Sequence, residues 1–474
     1  MALIRFKRGT RAQLEAAATA AQLQQAEPYY VTDENTLAVG SGTSKAISLA
    51  TGSAQTFSAT AGGSIQAALD AAASAGGGIV VVEAGAWVIT QTLLIYSNTT
   101  IRLHPQANIL RGAEIDCMIR NGTVGVALYG ANSNIVIDGG VWDGNKAVYT
   151  SNCCSMAFGH CDNVIIQNAV IKDAPGWHLI ELNAVQNGMV QRCVLSGLTA
   201  AGKEAIQLDL MKGSGQYPWD TNFDNTPCHS IRLLNNIITD CTRGVGSHSS
   251  TAGKYHSDVI VEHNVFRDLT EEAIYTEDWA NTVISNNSFE RVVKAIHIRA
   301  LSNTIRNITI SGNIIKDCTD GNTEGRGVQV EGVNGGVSVQ NGSIVHNQLN
   351  DIGRHAIGVD YSDGWNISNN QIDTVYRVPI WVYGSADCIV ANNAIKNVGD
   401  YYTPKRGIQL GPSSSSTPRT IRTVVTGNNT EAIITDYATD TIITGNIVHT
   451  TLTDGGNALD TQMYNNLVNG TWAP

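Results

Sequence analysis

Charge, aromatic rings and proline are all scarce in this chain. Of 474 residues, 15% are charged and 6% aromatic, and only 10 are proline. No apolar run is long enough to cross a bilayer, so membrane insertion is not expected. The opening "MALIRFKRGTRAQ" lacks an apolar stretch long enough for a secretion leader, and no signal peptide is expected. A basic excess is missing too. The formal net charge is −11, which gives no support to nucleic acid as a partner. Coiled-coil heptads are absent. The nine cysteines include no C-x-x-C pair. They read as reduced thiols in a core. No dense acidic cluster suggests calcium, and neither metal nor cofactor is expected.

Glycine is plentiful, at 47 residues, and 42% of the chain is hydrophobic. Many tight bends around a large core fit that balance. From about residue 130 one pattern recurs: apolar, x, apolar, x, x, Asn, x, apolar. It runs through "NVIIQNAVI" (163–171), "SIRLLNNII" (230–238), "DVIVEHNVF" (258–266), "NTVISNNSF" (281–289) and "NITISGNII" (307–315). "GSIVHNQL" (342–349), "GWNISNNQI" (364–372), "DCIVANNAI" (387–395) and "DTIITGNIV" (440–448) continue it. The Asn positions are 168, 236, 264, 287, 313, 347, 370, 393 and 446, and several steps measure 23 to 28 residues. Cys193, in "GMVQRCVL", takes the Asn slot of one further copy.

A fixed period of short strands with no helix between them is a solenoid. Roughly three strands per repeat indicate an all-β parallel β-helix, with inward Ile, Leu and Val stacked into one core. Asn suits the bend between strands, because it tolerates left-handed dihedrals and bonds neighbouring backbone. The Asn-x-Ser/Thr triplets at Asn286 and Asn307 read as such bends, not glycosylation sites.

The ends of the repeat have their own signals. Ser64 can cap an Ala-rich helix that stops at Gly76–Gly78, with Ile65, Ala68, Leu69 and Ala72 on one face. Such a helix covers the open end of a solenoid, where core and strand edges are otherwise exposed. Residues 1–50 read as a small separate module, 51–62 as a Ser/Thr/Ala/Gly linker, and 63–474 as the β-helix.

"GKEAIQLDL" (202–210) places three polar side chains, Glu204, Gln207 and Asp209, on a strand of period two. The strand after each Asn bend reads "HLIELN", "EAIQLD", "RGVGSH", "EAIYTE", "KAIHIR", "RGVQVE", "HAIGVD" and "VPIWVY". In each, the third and fifth letters point inward and the fourth and sixth outward. Stacked about 4.8 Å apart, they form two outward columns. One holds Glu181, Gln207, Gly246, Tyr275, His297, Gln329, Gly358 and Trp381. The other holds Asn183, Asp209, His248, Glu277, Arg299, Glu331, Asp360 and Tyr383. Asp209, His248 and Glu277 thereby converge, with Arg299 beside Glu277. Glu204 and Glu272 lie at the bends before their strands and are further catalytic candidates.

Two loop insertions leave adjacent strands at the same end. One carries Tyr217, Trp219 and Asp220, the other Tyr255 and His256. Aromatic rings flanking polar groups suit sugars, whose C–H faces stack on rings while hydroxyls take hydrogen bonds. The expected binding residues are therefore Glu181, Gln207, Tyr217, Trp219, Asp220, Tyr255, His256, Tyr275, His297 and Arg299.

The repeats, "GGGIVVVEAG" (76–85) and "NIVIDGGVWDGN" (134–145) resemble the pectate-lyase-like single-stranded right-handed β-helix superfamily over about residues 60–450. "FKRGT" and "TDENTLAVGSG" resemble the small module that opens many bacteriophage tail-fibre and tailspike proteins. Together these resemblances imply a phage tailspike in the virion tail. Such a protein is a homotrimer, is joined to other tail proteins through its first module, and binds and often cleaves bacterial capsule, exopolysaccharide or O-antigen. Polygalacturonase-like glycosidases carry acids, a His and a basic triplet on successive coils. Asp209, His248 in "GVGSHS" and Arg299 in "HIR" follow a similar order, although Asn-Thr-Asp, Asp-Asp and Gly-His-Gly are absent.

The expectation is an endo-acting glycoside hydrolase. Asp209 and Glu277 are two coils apart, roughly 10 Å along the column. That spacing favours inversion. The rival is a polysaccharide lyase, with His248 or Tyr275 taking a proton beside a uronate neutralised by Arg299 or Lys294. A rival of another class is a non-catalytic receptor-binding fibre.

Overall fold

The computed structural model describes residues 7–19, 28–32, 36–40, 46–49, 55–59, 64–319, 324–411, 419–454 and 458–473. The chain divides into two compact units, Met1–Thr56 and Phe57–Pro474. Residues 1–6, part of the stretch read for a leader, and 51–54 and 60–62 of the expected linker lie outside the described residues. So do 33–35 and 41–42 of "TDENTLAVGSG".

The first unit is a four-stranded sheet, Lys7–Gly9, Pro28–Val31, Thr36–Gly40 and Ala46–Leu49, with a helix at Arg11–Thr19. The helix begins at a Thr-x-x-Gln box. Gln13 N donates to Thr10 Oγ1 (3.3 Å) and Thr10 N donates to Gln13 Oε1 (3.0 Å).

In the second unit, strand Thr56–Ala59 joins the large sheet. Part of the expected linker is therefore structured: its alternation drives Ala59 into the core, with Phe57 packed against it. The helix Ile65–Ser74 follows its sequence signals. Ser64 Oγ accepts from Ala67 N (3.3 Å), and Ile65, Ala68, Leu69 and Ala72 are buried.

Beyond it the chain winds as a parallel β-helix. Successive coils pair in parallel, as Ile238 with Phe266, Phe266 with Phe289, and Phe289 with Ile315. The two phenylalanine rings stack with centroids 4.9 Å apart. All nine cysteines are free and buried. Cys241 and Cys318 fall in one inward column, with Leu269 and Val292 between them. The solenoid ends where Asn466–Val468 turns back antiparallel to Thr471–Ala473. No helix among the described residues is long and apolar enough to cross a membrane.

The Asn bends hold a surprise in register. Asn236, Asn264, Asn287, Asn313, Asn347, Asn370, Asn393 and Asn446 are buried and form an unbroken ladder with Asn428 and Asn466. Each backbone N–H donates to the next Asn Oδ1, as Asn347 N does to Asn370 (3.0 Å). The left-handed residue is the one before, for example Asn235 (φ 56°), His263 (58°) and Asn369 (55°). Asn168 (φ 57°) belongs to that preceding position, and Ala169 fills its ladder slot. The bend thus divides two jobs that the sequence pattern had assigned to one residue. Asn286 and Asn307 are left-handed bends as expected (φ 55° and 62°).

Candidate functional site

Strand register builds the expected face. Asn183 lies beside Asp209, Gln207 beside Gly246, Gly246 beside Tyr275, and Tyr275 beside His297. Glu277 lies beside Arg299, and Arg299 beside Glu331. The exception is His248. Its strand stops at Gly246, and Ser247 turns inward, where its Oγ accepts from Glu277 N (2.9 Å) and Trp279 Nε1 (2.9 Å). His248, beyond the strand end, leaves the ladder, and its ring lies back over the previous coil. Nδ1 is 3.2 Å from Glu204 Oε2; Nε2 is 3.6 Å from Asp209 Oδ2 and 3.3 Å from Gln207 Nε2.

The face is not open on these coils, and that corrects the sequence reading. Met211 and Tyr217 fold over it and pack with Cys117, Cys154, Ala157 and Ala184 as a second small core. On these coils Glu181, Asn183, Glu204, Gln207 and Asp209 are buried, the last three beneath His248. Tyr217 is a roof beam and not a sugar platform. Its ring lies against Gly159, where an added Cβ would meet it at 2.7 Å, and its hydroxyl donates to Asn121 Oδ1 (3.2 Å). Asp220 ties the roof down by accepting from the N–H groups of Gly125 (2.8 Å), Thr221 (2.6 Å) and Asn222 (3.0 Å). Trp219 is half-buried, edge-on to Tyr217 and Trp177. The two insertions do meet: Lys212 Nζ donates to Ser250 O (2.7 Å), and Thr251 Oγ1 to Asn225 Oδ1 (3.2 Å). Tyr255 stands exposed, whereas His256 is a core histidine. His256 Nδ1 accepts from Cys228 N (3.0 Å), and burial holds its pKa down at about 3.

The carboxyls differ sharply in state. Burial pushes Asp209 above the ordinary range, against His248 and a short hydrogen bond from Ser249. Burial raises Glu277 likewise, helped by the Asp209 charge and opposed by the Tyr275 hydroxyl and Arg299. Glu181, also pushed up by burial, reaches about 8; Cys154 Sγ donates to its Oε2 (2.9 Å). In Glu204 burial is outweighed by the His248 hydrogen bond, His178 and Arg243, and the carboxyl is lowered. Burial would lower His248, yet Glu204 and Asp209 raise it overall. Glu272 is not available as an acid. Against its burial, His297 (Nδ1 at 3.7 Å), a hydrogen bond from Lys294 Nζ (2.7 Å) and the charge of Arg243 hold it far below the carboxylate range. Its carboxylate pairs with Lys294 and Arg243.

Of the candidate acids and bases, His248 is the most open, and Glu277 lies just beneath the surface. The Glu277 residue is 8% exposed and the His248 side chain 28%. Tyr275 OH donates to Glu277 Oε1 (2.9 Å) and accepts from Arg299 Nη1 (2.6 Å), which leaves Glu277 Oε2 free of that chain. Burial lifts the Tyr275 phenol to about 12. His297 Nε2 bonds Glu331 Oε2 (2.9 Å) instead of facing the pair. A small pocket beside His248 is lined by Trp177, His178, Lys203 and Gln216 and reaches Glu181 and Gln207.

Arg243, His178 and Ser249 were missed in the sequence. Arg243 bonds Glu204 (3.3 Å), Glu271 (2.7 Å) and Glu272 (3.0 Å) and lies over the Tyr275 ring (4.5 Å). Its signal was present: the first letters of the aligned strands run Glu204, Arg243, Glu272, Lys294, an alternation of charge. His178, Glu204 and His248 each offer an atom within 4.8 Å of the others, the one such group of metal-ligand types among the described residues. His178 Nδ1, however, donates to the Glu204 carbonyl (2.8 Å), and Arg243 and His248 already engage the Glu204 carboxylate.

Residues 304–471 match the family model "Right handed beta helix region". Solved structures share the fold at low identity. Tailspike protein 3 of bacteriophage CBA120 is 12% identical, with TM-score 0.53, covering 86% of this chain and 59% of that one. A tailspike double mutant of E. coli bacteriophage HK620, in complex with pentasaccharide, is 14% identical, with TM-score 0.53, covering 84% and 76%. The fold is a right-handed parallel β-helix, and solved phage tailspikes have it. A curated relative is plasmin and fibronectin-binding protein A of Streptococcus pneumoniae, 23% identical over 273 residues. The match takes in 50% of this chain and 38% of that protein's length.

Proposed function

We infer that this chain is a phage tailspike that binds bacterial surface polysaccharide and cleaves it within the chain by glycoside hydrolysis. One observation carries the reading: a carboxyl raised by burial, Glu277, shares a face with an imidazole backed by a carboxylate, His248 on Glu204. In the hydrolysis, Glu277 Oε2 gives its proton to the leaving glycosidic oxygen as the C–O bond breaks. His248 Nε2 takes a proton from the attacking water, and Glu204 steadies the imidazolium through Nδ1. Asp209, sealed beneath His248, is a positioning residue that raises the ring's basicity. Arg299 holds Tyr275 in place to bond Glu277. The other exposed carboxylate of this face among the described residues, Glu331, is held by His297 and Arg299 two coils from Glu277, so the expected outcome is inversion at the anomeric carbon.

The His248–Glu204 pair, with the Arg299 guanidinium further along the same face, also favours a second reading, β-elimination from a uronate. His248 would be its base, because a phenol raised to about 12 stays protonated. Unsaturated products absorbing near 235 nm (roughly) would mark that route, and reducing ends without them mark hydrolysis. Trimeric assembly and attachment to the tail through the first module belong to the same proposal; sedimentation of the full chain tests the former. The whole reading is tested by incubating the protein with host polysaccharide and measuring chain length. An unchanged length distribution would leave only a receptor-binding fibre.

A further inference from the structure

The same face runs on past Glu331, and its character changes. Glu331 lies beside Asp360 and Asp360 beside Tyr383; Gly358 lies beside Trp381. Three half-buried rings are contiguous there. Trp381 and Tyr383 have centroids 6.2 Å apart, and Tyr361 and Tyr383 are 5.0 Å apart. Asp360 stands three coils beyond Glu277, about 14 Å along the ladder. One extended sugar chain can cross both places.

Beside the rings sits a cluster of arginines. Arg354 Nη1 and Arg377 Nη2 both bond the Glu324 carboxylate. Arg326 donates to the amide oxygen of Gln329 (3.3 Å), and its Nε is enclosed with no hydrogen-bond partner. All three guanidinium groups bear on His355, which burial and their charge hold neutral, at about 3. Trp381 lies against His355 (5.0 Å between ring centroids). Asp360 and Glu331 also bear on Arg326, and burial pushes Asp360 up to about 7, so it is partly neutral near neutral pH. Its Oδ1 is enclosed without a partner. Three guanidinium groups thus cluster next to an aromatic platform in a chain of net charge −11, and the Nε of one of them, Arg326, has no hydrogen-bond partner.

We propose that Arg326, Arg354, Trp381 and Tyr383 form a subsite for a sugar bearing a carboxylate, such as a hexuronate or a sialate. The sugar's C–H face stacks on the rings while its carboxylate meets the guanidinium groups, a fork geometry that a neutral hydroxyl does not match. This rests on the reading of the face as a polysaccharide binder, and it narrows the substrate to an acidic polymer.

The test uses the full chain and ligand-observed saturation-transfer NMR. The probes are sodium glucuronate, galacturonate and N-acetylneuraminate, set against glucose and N-acetylglucosamine. At least one acid should bind at least tenfold more tightly than the neutral sugars, an advantage of about 1.4 kcal/mol or more. That affinity should fall about tenfold in Arg326→Gln and in Trp381→Ala, and less in Arg326→Lys, which keeps the charge. Circular dichroism checks that each variant is folded. Equal binding of neutral sugars and acids, no binding of any acid, or affinity untouched in folded Arg326→Gln overturns the subsite. Acid binding should persist in Glu277→Gln. If no acid binds yet polysaccharide is still shortened, only this inference fails. If acids bind but nothing is shortened, only the cleavage reading fails.

Discussion

Two columns of polar side chains climb this solenoid, and they differ in almost every respect. At the bend, Asn236 to Asn466 repeats one residue, and each amide both accepts from the neighbouring backbone and donates to a carbonyl, as Asn264 Nδ2 does to Leu233 O (2.8 Å). On the face, Glu181, Gln207, Tyr275 and His297 change at every coil. That face also leaves buried oxygens without partners, at Glu181 Oε1, Asn183 Oδ1 and Gln207 Oε1. Burying a satisfied amide stabilises modestly; burying an unsatisfied oxygen or a charge destabilises. A homogeneous ladder therefore reads as structure. A heterogeneous, incompletely satisfied one reads as a site, held in place by the stability of the first.

The largest expected effect lies on the face. Glu277→Gln should slow polysaccharide shortening by about 10²–10⁴-fold with an unchanged melting temperature. Comparable rates for mutant and wild type would collapse the distinction between the columns. Next comes pH. The rate should be bell-shaped, with limbs at the raised values of Glu277 and His248. Glu204→Gln removes the main group raising His248, so the upper limb should move to lower pH. Stability should follow the same sign. A histidine raised in the folded state stabilises below its ordinary value of about 6.5, and that contribution is lost as pH rises through the folded value. Urea unfolding on either side of neutrality should show this slope in wild type and a flatter one in Glu204→Gln.

The ladder should behave in the opposite way. Asn347→Ala leaves a buried N–H of Asn313 without its acceptor. It should cost about 2–3 kcal/mol of stability with kcat unchanged, measured by denaturant unfolding and product release. Smallest of all, Tyr217→Phe should cost about 0.5–1.5 kcal/mol and leave polysaccharide affinity alone, because the ring is roof and not platform. A fall in affinity with full stability would restore Tyr217 to the binding surface.

Much of this was legible before any coordinates. Period-two alternation fixes which side chains face out, and a repeat fixes which of them stack, so the columns from Glu181 to Tyr383 could be written down from letters alone. Ser64 and the Ile65–Ala72 stripe were readable for the same reason. What could not be read was depth. "LMKGSGQYPWD" looks like a wall because it is long and aromatic, but Tyr217 closes onto Gly159, and a glycine's vacancy leaves no trace in periodicity. The departure of His248 from its column was hidden as well. The ring is held back by Glu204 and Asp209, side-chain contacts that no repeat predicts. The bend likewise separates into a left-handed residue and a bridging amide, which a single consensus letter merges.

The most direct test is a crystal structure of Glu277→Gln with an oligosaccharide cut from the host polysaccharide. The account predicts a glycosidic oxygen within hydrogen-bond reach of residue 277 and the anomeric carbon open toward His248 Nε2. Sugar bound instead on another side of the solenoid, for instance in the groove formed by Ile314, Gln348, Gln371 and Ala394, would contradict it.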